Sequence, residues 1–164
     1  MIEKKINEFL EYLEIERNRS RKTLENYHRY LSDFLKWAQS RGVKNASDIT
    51  QEVVRQYRLA LNRKEIFGGG TLKRVTQNYY IIALRGFLRY LSKRGVETLS
   101  ADEVELSRQE ERKVDFLEPD EVKRLIAALG GPHLNGARDK AIVTTLFSTG
   151  LRVSELASLN REDI

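Results

Sequence analysis

The sequence predicts an all-α chain: a four-helix bundle followed by a separate, smaller helical segment. Three observations carry this. Apolar residues recur at three- and four-residue intervals through most of the chain, with no sustained alternation of strand type. Glycines fall just past the ends of the periodic runs, at Gly42, Gly95 and Gly150, where helices stop. Composition and charge shift together near residue 99. Residues 1–98 carry 20 Lys and Arg against 11 Asp and Glu, and residues 99–164 carry 9 against 13, so the two parts bear net charges of +9 and −4.

The first helix is expected over residues 2–16, with Ile2, Ile6, Phe9, Leu10 and Leu13 on one stripe. A polar break follows at Glu16-Arg17-Asn18-Arg19. Ser20 then reads as the N-cap of a long helix ending near Arg41, with Leu24, Tyr27, Leu31, Phe34, Leu35 and Ala38 in helical register. Arg21 and Lys22 crowd its first turn, where cations oppose the helix dipole. A phosphate held by Ser20, Arg21, Lys22 and Thr23 would account for them.

A third helix is expected over residues 50–62, with Val53, Val54, Tyr57, Leu59 and Leu61 inward or half-buried. Gly68-Gly69-Gly70 reads as a flexible connector, since no Gly-Lys-Ser/Thr follows to make a phosphate loop. Thr71 is the expected cap of a fourth helix running to about Arg94. Leu72, Val75, Tyr79, Ile82, Phe87 and Leu91 form its expected buried stripe. Lys73, Arg74, Arg85, Arg89 and Lys93 lie off that stripe. At 100° per residue Arg74 and Arg85 differ by about 20°, and Arg89 follows one turn on, which makes a basic ridge suited to a duplex backbone. The seven tyrosines all fall in these helices and are better explained as packing than as chemistry.

Residues 99–115 are polar and read as an interdomain linker with at most a short helix. A second domain is expected from Phe116. Glu118-Pro119-Asp120-Glu121 opens a helix, with proline at its first position and acids in its first turn. Gly130-Gly131-Pro132 stops it. A strongly apolar helix follows from Arg138 to Ser148. Then Gly150 turns the chain, Arg152 enters the first turn of a last helix anchored by Leu156 and Leu159, and Glu155 sits three residues on to orient the guanidinium. A guanidinium so fixed can grip a phosphate bidentately.

The run Thr149-Gly150-Leu151-Arg152-Val153-Ser154-Glu155-Leu156, with Leu159 and Asp163-Ile164, resembles the first catalytic box of the tyrosine site-specific recombinases, the phage-integrase and Xer-type enzymes. Ser20-Arg21-Lys22-Thr23 with Tyr27 resembles the start of the second helix of that family's SAM-like core-binding domain. Ala83-Leu84-Arg85-Gly86-Phe87-Leu88-Arg89-Tyr90-Leu91, with Thr76 and Asn78 upstream, is similar to its last helix. The resemblance implies a core-binding domain over 1–98, a linker over 99–115 and the front of a mixed α/β catalytic domain over 116–164. It implies double-stranded DNA as partner, and cutting and rejoining through a 3′-phosphotyrosine. Arg152 and Glu155 would be catalytic, and Ser20, Arg21, Lys22, Thr23, Lys73, Arg74, Thr76, Asn78, Arg85 and Arg89 would contact DNA. No metal or cofactor is implied. The family's lysine hairpin, His-x-x-Arg pair and nucleophilic tyrosine follow the arginine box, and His28 and His133 precede it. The 164 residues alone are therefore expected to bind DNA without cleaving it, as a monomer, whereas a full-length parent would act as a tetramer on DNA.

Two other readings share these features. One is a non-catalytic DNA-binding module or regulator, and the other a helical adaptor whose basic ridge meets an acidic protein. A helix-turn-helix reading of Ala141, Gly150 and Leu156 puts Glu155, Glu162 and Asp163 toward the phosphates, an unsuitable surface. The chain has no cysteine, which removes disulfides and thiolate metal sites, and only two histidines, which makes structural zinc unexpected. No signal peptide or membrane span is read, so a cytoplasmic location is expected.

Overall fold

The computed structural model describes residues 1–66, 68–108, 115–129 and 134–163, with the backbone alone at Leu134. The Gly130-Gly131-Pro132 stop, His133, Ile164 and most of the second half of the expected linker lie outside the described residues. Seven α-helices and no strand occur among the described residues: α1 (Ile2–Ile15), α2 (Arg21–Gln39), α3 (Gln51–Asn62), α4 (Arg74–Lys93), α5 (Pro119–Ala128), α6 (Leu134–Thr149) and α7 (Val153–Ala157). None of these is long and apolar enough to cross a membrane. The chain divides into two compact units, Met1–Glu110 and Glu111–Ile164.

The first unit is a bundle built on α4. Helix α1 buries Ile2, Ile6, Phe9 and Leu13, and α2 buries Leu31, Phe34 and Ala38, in each case a single stripe. Helix α4 instead buries a broader apolar face, about half of its circumference, with Tyr80, Ile81, Ala83, Leu84, Phe87, Leu88, Tyr90 and Leu91. Phe9 is the aromatic hub, with ring centroids 5.8 Å from Phe87, 5.3 Å from Tyr90 and 6.1 Å from Tyr27. Phe9 and Tyr27 pack over Gly86 of α4, where a Cβ would stand at an ordinary contact distance of 3.5 Å from each. Truncating a fully buried ring such as Phe87 to alanine costs about 3–5 kcal/mol.

The cap chemistry expected for α2 is present, with the Thr23 amide donating to Ser20 Oγ at 3.3 Å. For α4 it is not. Thr71 pairs with Glu65 in an isolated antiparallel bridge, and the helix starts at Arg74 behind Lys73, which makes no side-chain cap bond. The bridge closes the glycine run into a turn, with the Ile66 amide donating to the Gly70 carbonyl at 3.1 Å. Gly68, Gly69 and Gly70 all take positive φ there, the conformation for which glycine is suited.

The face of α4 also differs from expectation. Val75, Tyr79 and Ile82 are 46%, 51% and 38% exposed, whereas Asn78, Tyr80 and Ile81 are buried. Leu59 of α3 is likewise exposed.

The segment from Leu99, expected as linker, begins as part of the bundle. Ala101 and Val104 are buried and Leu99 packs against the core. A 3-10 turn over Ala101–Glu103 is held by a reciprocal Ser100–Glu103 cap, and Gln51 Nε2 donates to Glu103 Oε2 at 2.8 Å. Three apolar side chains within a polar composition thus join the core.

In the second unit, α5 opens as expected, with the Glu118 amide donating to Glu121 Oε2 at 2.9 Å and proline at the first position. Helix α6 begins at Leu134, a turn before the expected Arg138. Val122 is the one buried side chain among the described residues of this unit. Phe116, Leu117, Phe147 and Val153 are exposed.

Candidate nucleic-acid interface

Gly150 takes φ +67°, which ends α6 and turns the chain toward α7. Arg152 is then the N-cap of α7, one position earlier than expected, with extended backbone. Its amide donates to Glu155 Oε2 at 2.7 Å, and its Nη1 donates to Glu155 Oε1 at 2.9 Å. One carboxylate thus caps the helix with one oxygen and holds the guanidinium with the other. The Arg152 side chain is 82% exposed, so no other described group of its unit orients it. Nη2 and Nε keep their donors for an acceptor outside the protein, in the fork geometry that suits a phosphate.

The cluster at the start of α2 is also exposed. Ser20 Oγ and Thr23 Oγ1 are 3.0 Å apart, and Arg21 and Lys22 converge on Glu25 at 3.6 and 3.1 Å. Glu25 therefore supplies a partner within the chain for the two cations at the unfavourable end of the helix. Exposed pairs of this kind contribute about 0–1 kcal/mol and leave both side chains available.

The basic ridge of α4 is reorganised by the segment that follows the helix. Arg85 and Arg89 both approach Asp102, at 3.9 and 3.3 Å, and Arg85 is mostly covered. Asn78, expected to touch DNA, is 2% exposed. Its Nδ2 donates to the Ser107 carbonyl at 2.9 Å and its Oδ1 accepts from the Ser107 amide at 3.1 Å. A buried amide with both functions satisfied by backbone is a structural anchor, so Asn78 is removed from the contact set. Thr76 is half-buried, while Lys73 and Arg74 are exposed at the start of α4. Of the α4 residues expected at DNA, these two and Arg89 present their charge most openly.

Residues that sequence reasoning passed over lie beside Arg74. Arg55, Arg58 and Arg108 join it around a cavity of ≈ 440 Å³, with Asn62, Gln77 and Ser107. Arg55 is committed to Glu52 by two hydrogen bonds of 2.7 and 2.6 Å, which lower the Glu52 carboxyl to about 2. No periodicity argument could bring Arg108 to this place, because it lies in the expected linker.

Comparison with known proteins gives matches over both units. The family description "Phage integrase, N-terminal SAM-like domain" matches residues 6–95, and "Phage integrase family" matches residues 115–164. The chain is 32% identical over 160 residues to the tyrosine recombinase XerC of Bacillus licheniformis, covering 95% of this chain and 50% of that protein. It is 34% identical over 165 residues to XerC of Pelotomaculum thermopropionicum, covering 97% and 52%. It is 30% identical over 162 residues to the tyrosine recombinase XerD of Mycobacterium tuberculosis, covering 95% and 52%. A crystal structure of XerA recombinase aligns with TM-score 0.48 at 26% identity, covering 100% of this chain and 52% of that one. The chain spans about half the length of the curated relatives it matches.

Proposed function

The chain belongs to the phage integrase family of tyrosine recombinases, and we propose that its 164 residues are the DNA-binding portion of a site-specific recombinase together with the opening segment of its catalytic domain. The first unit grips double-stranded DNA through Ser20, Arg21, Lys22, Thr23, Lys73, Arg74 and Arg89, with Arg85 behind Asp102. Residues 116–164 supply Arg152 to the reacting phosphate. The single observation that carries this reading is the double hold of Glu155 on Arg152 at the Gly150 turn, which leaves the guanidinium fork open.

In the proposed reaction a tyrosine hydroxyl attacks a backbone phosphorus and the 5′-oxygen leaves, giving a 3′-phosphotyrosine. A 5′-hydroxyl of the partner strand reverses the step. Negative charge builds on the non-bridging oxygens as the fifth bond forms, and Arg152 stabilises it by two parallel hydrogen bonds. Glu155 acts as a positioning residue through Arg152. One phosphodiester replaces another, so no cofactor is needed to drive the exchange. No tyrosine of the 164 residues follows Arg152. The exposed Phe116, Leu117, Phe147 and Val153 support the reading that this segment is the front of a larger domain, since side chains of that kind are normally covered. The parent is proposed to work as a tetramer on DNA, and the 164-residue chain to be monomeric.

The test is a native gel shift across a salt series, for binding, and a denaturing gel, for adduct, of labelled duplex incubated with the chain, alongside a chimera that continues it with the C-terminal half of the Bacillus licheniformis XerC. The expected result is salt-dependent binding without adduct for the chain, and a covalent adduct for the chimera that disappears with Arg152→Ala. An adduct formed by the 164 residues alone, or one that survives Arg152→Ala, overturns the assignment.

A further inference from the structure

Arg58, in the middle of α3, holds two buried donors that nothing satisfies. Its Nε and Nη2 are out of contact with solvent and have no hydrogen-bond partner among the described residues. A guanidinium stays charged at any accessible pH, so such an edge must find an acceptor or remain a standing cost to the fold. Arg58 lines two cavities. One, of ≈ 470 Å³, is also lined by Glu52, Glu103 and Glu105. There Glu52 is taken by Arg55 and Glu103 accepts from Gln51, while Glu105 makes no hydrogen bond to Arg58 among the described residues. The other is the ≈ 440 Å³ cavity already described, which no carboxylate lines.

That second cavity gathers cations from three separate parts of the first unit: Arg58 from α3, Arg74 from the start of α4, and Arg108 from the chain beyond the Ala101–Glu103 turn. None of the three has a carboxylate partner among the described residues. The remaining cations of the expected ridge contrast with them, since Arg85 and Arg89 share Asp102. The first turn of α4 points to the same chemistry. It contains no acidic residue and its N-cap makes no side-chain bond, so its amides are left without a capping acceptor from that residue.

We propose that Arg58, Arg74 and Arg108 form a cradle for one backbone phosphate of duplex DNA. The proposal rests on the reading that the chain binds DNA, and adds a contact on α3 and one beyond Val104 that neither the sequence motifs nor the family match assigns. The reciprocal Asn78–Ser107 bonds fix the register that brings Arg108 beside Arg74. A phosphodiester accepts from several donors at once: Arg74 and Arg108 supply them at the cavity they line, and Arg58, whose Nε and Nη2 face no solvent, adds a fixed positive charge at its wall. The contact positions the duplex and carries no base information.

The experiment is fluorescence anisotropy of labelled duplexes of two unrelated sequences, titrated with the 164-residue chain across a salt series. The variants are Arg58→Gln, Arg108→Gln, the double variant and Arg58→Lys, each checked for helicity by circular dichroism. Arg108→Gln keeps the test valid if Arg58→Gln alters the bundle. Each Gln variant is expected to weaken binding about three- to tenfold on both sequences, and the double variant to lower the slope of log K against log salt by about 1. Arg58→Lys is expected to stay nearer wild type than Arg58→Gln, because it keeps the charge that acts on the phosphate. Wild-type binding that the variants leave unchanged in affinity and slope overturns the cradle and leaves the DNA reading standing. A wild-type chain that does not bind duplex overturns both. A parallel titration with inorganic phosphate, followed by Arg Nε resonances, separates the sources. Saturable phosphate binding in a protein whose DNA affinity the variants do not change assigns the site to a free anion and also overturns the proposal.

Discussion

Asn78 and Ser107 exchange two hydrogen bonds, amide to carbonyl at 2.9 Å and backbone N–H to side-chain oxygen at 3.1 Å, across 29 residues of sequence. This pairing staples the chain that leaves the bundle onto its central helix. Asn78→Ala is expected to destabilise the first unit by about 1–3 kcal/mol, since it leaves backbone groups of Ser107 unpartnered. Asn78→Asp is expected to be at least as harmful, because a carboxylate cannot donate to the Ser107 carbonyl. Urea unfolding followed by circular dichroism measures both. A neutral Asn78→Ala would show that the staple carries no load.

Gly86 sits inside a helix yet has room for a methyl group. Its Cβ would meet Phe9 and Tyr27 at 3.5 Å, an ordinary van der Waals distance. Alanine exceeds glycine in helix propensity by about 0.8–1 kcal/mol, so Gly86→Ala is expected to stabilise the bundle by up to that amount. Gly86→Leu is expected to destabilise it, because the larger side chain has to displace both rings. Thermal unfolding of the two variants should move in opposite directions.

At Gly150 the restriction is in the backbone. Nothing lies within 4 Å of a Cβ built there, but φ is +67°. Gly150→Ala is expected to cost roughly 1–2 kcal/mol from the left-handed conformation alone, with Gly150→Asn milder. In the chimera with a XerC C-terminal half, Gly150→Ala should lower adduct formation more than DNA affinity, because the turn places Arg152.

Arg152 itself is expected to act on the reaction and not on binding. In the same chimera, Arg152→Ala should reduce covalent adduct by about a hundredfold or more, the usual scale for removing a transition-state donor. Arg152→Lys should restore little, since a point charge replaces a fork. Duplex affinity of the bundle should hold in both. Glu155→Gln is expected to speed hydrogen exchange at the Arg152 amide, which the carboxylate holds at 2.7 Å.

The Glu52 carboxyl, held by Arg55 and Gln56, lies at about 2, below its ordinary value of 4.5. A carboxyl depressed in the folded state contributes stability that is complete above its unfolded value and is lost as pH falls through its folded one. The contribution should therefore be full at neutral pH and fade between about 4.5 and 2. Carbon-detected NMR titration of Glu52 should find a midpoint near the lower end, and Arg55→Ala should move it up toward the ordinary value.

Helix existence and the cap at Ser20 were legible in the sequence because short-range chemistry determines them, and the family was legible through the resemblance of the Arg152 motif. The orientation of α4 was not. A stripe counted from Leu72 to Leu91 selects Val75, Tyr79 and Ile82, but the buried apolar residues of α4, from Tyr80 to Leu91, occupy the half of the helix turned away from those three. A buried asparagine at position 78 is read as polar surface until its partner is known. Ser107, Arg108 and Asp102 were unreadable for a related reason. Their segment is polar in composition, and the apolar anchors at Leu99, Ala101 and Val104 together with the Asn78–Ser107 bonds bring it back along the bundle. At the Gly150 turn the spacing of Arg152 and Glu155 foretold the ion pair, and the added cap on the Arg152 amide followed from the same carboxylate.

All seven tyrosines and the lone tryptophan lie before Glu110, with the Trp37 ring 5.1 Å from Tyr57 and tilted 50° to it, between α2 and α3. The second unit therefore carries no tyrosine or tryptophan, and Phe116 and Phe147 are its only phenyl side chains. Tryptophan emission reports the melting of the bundle alone, while far-ultraviolet dichroism reports both units. The difference between the two curves isolates the fate of the segment bearing Arg152, without any label added to the protein.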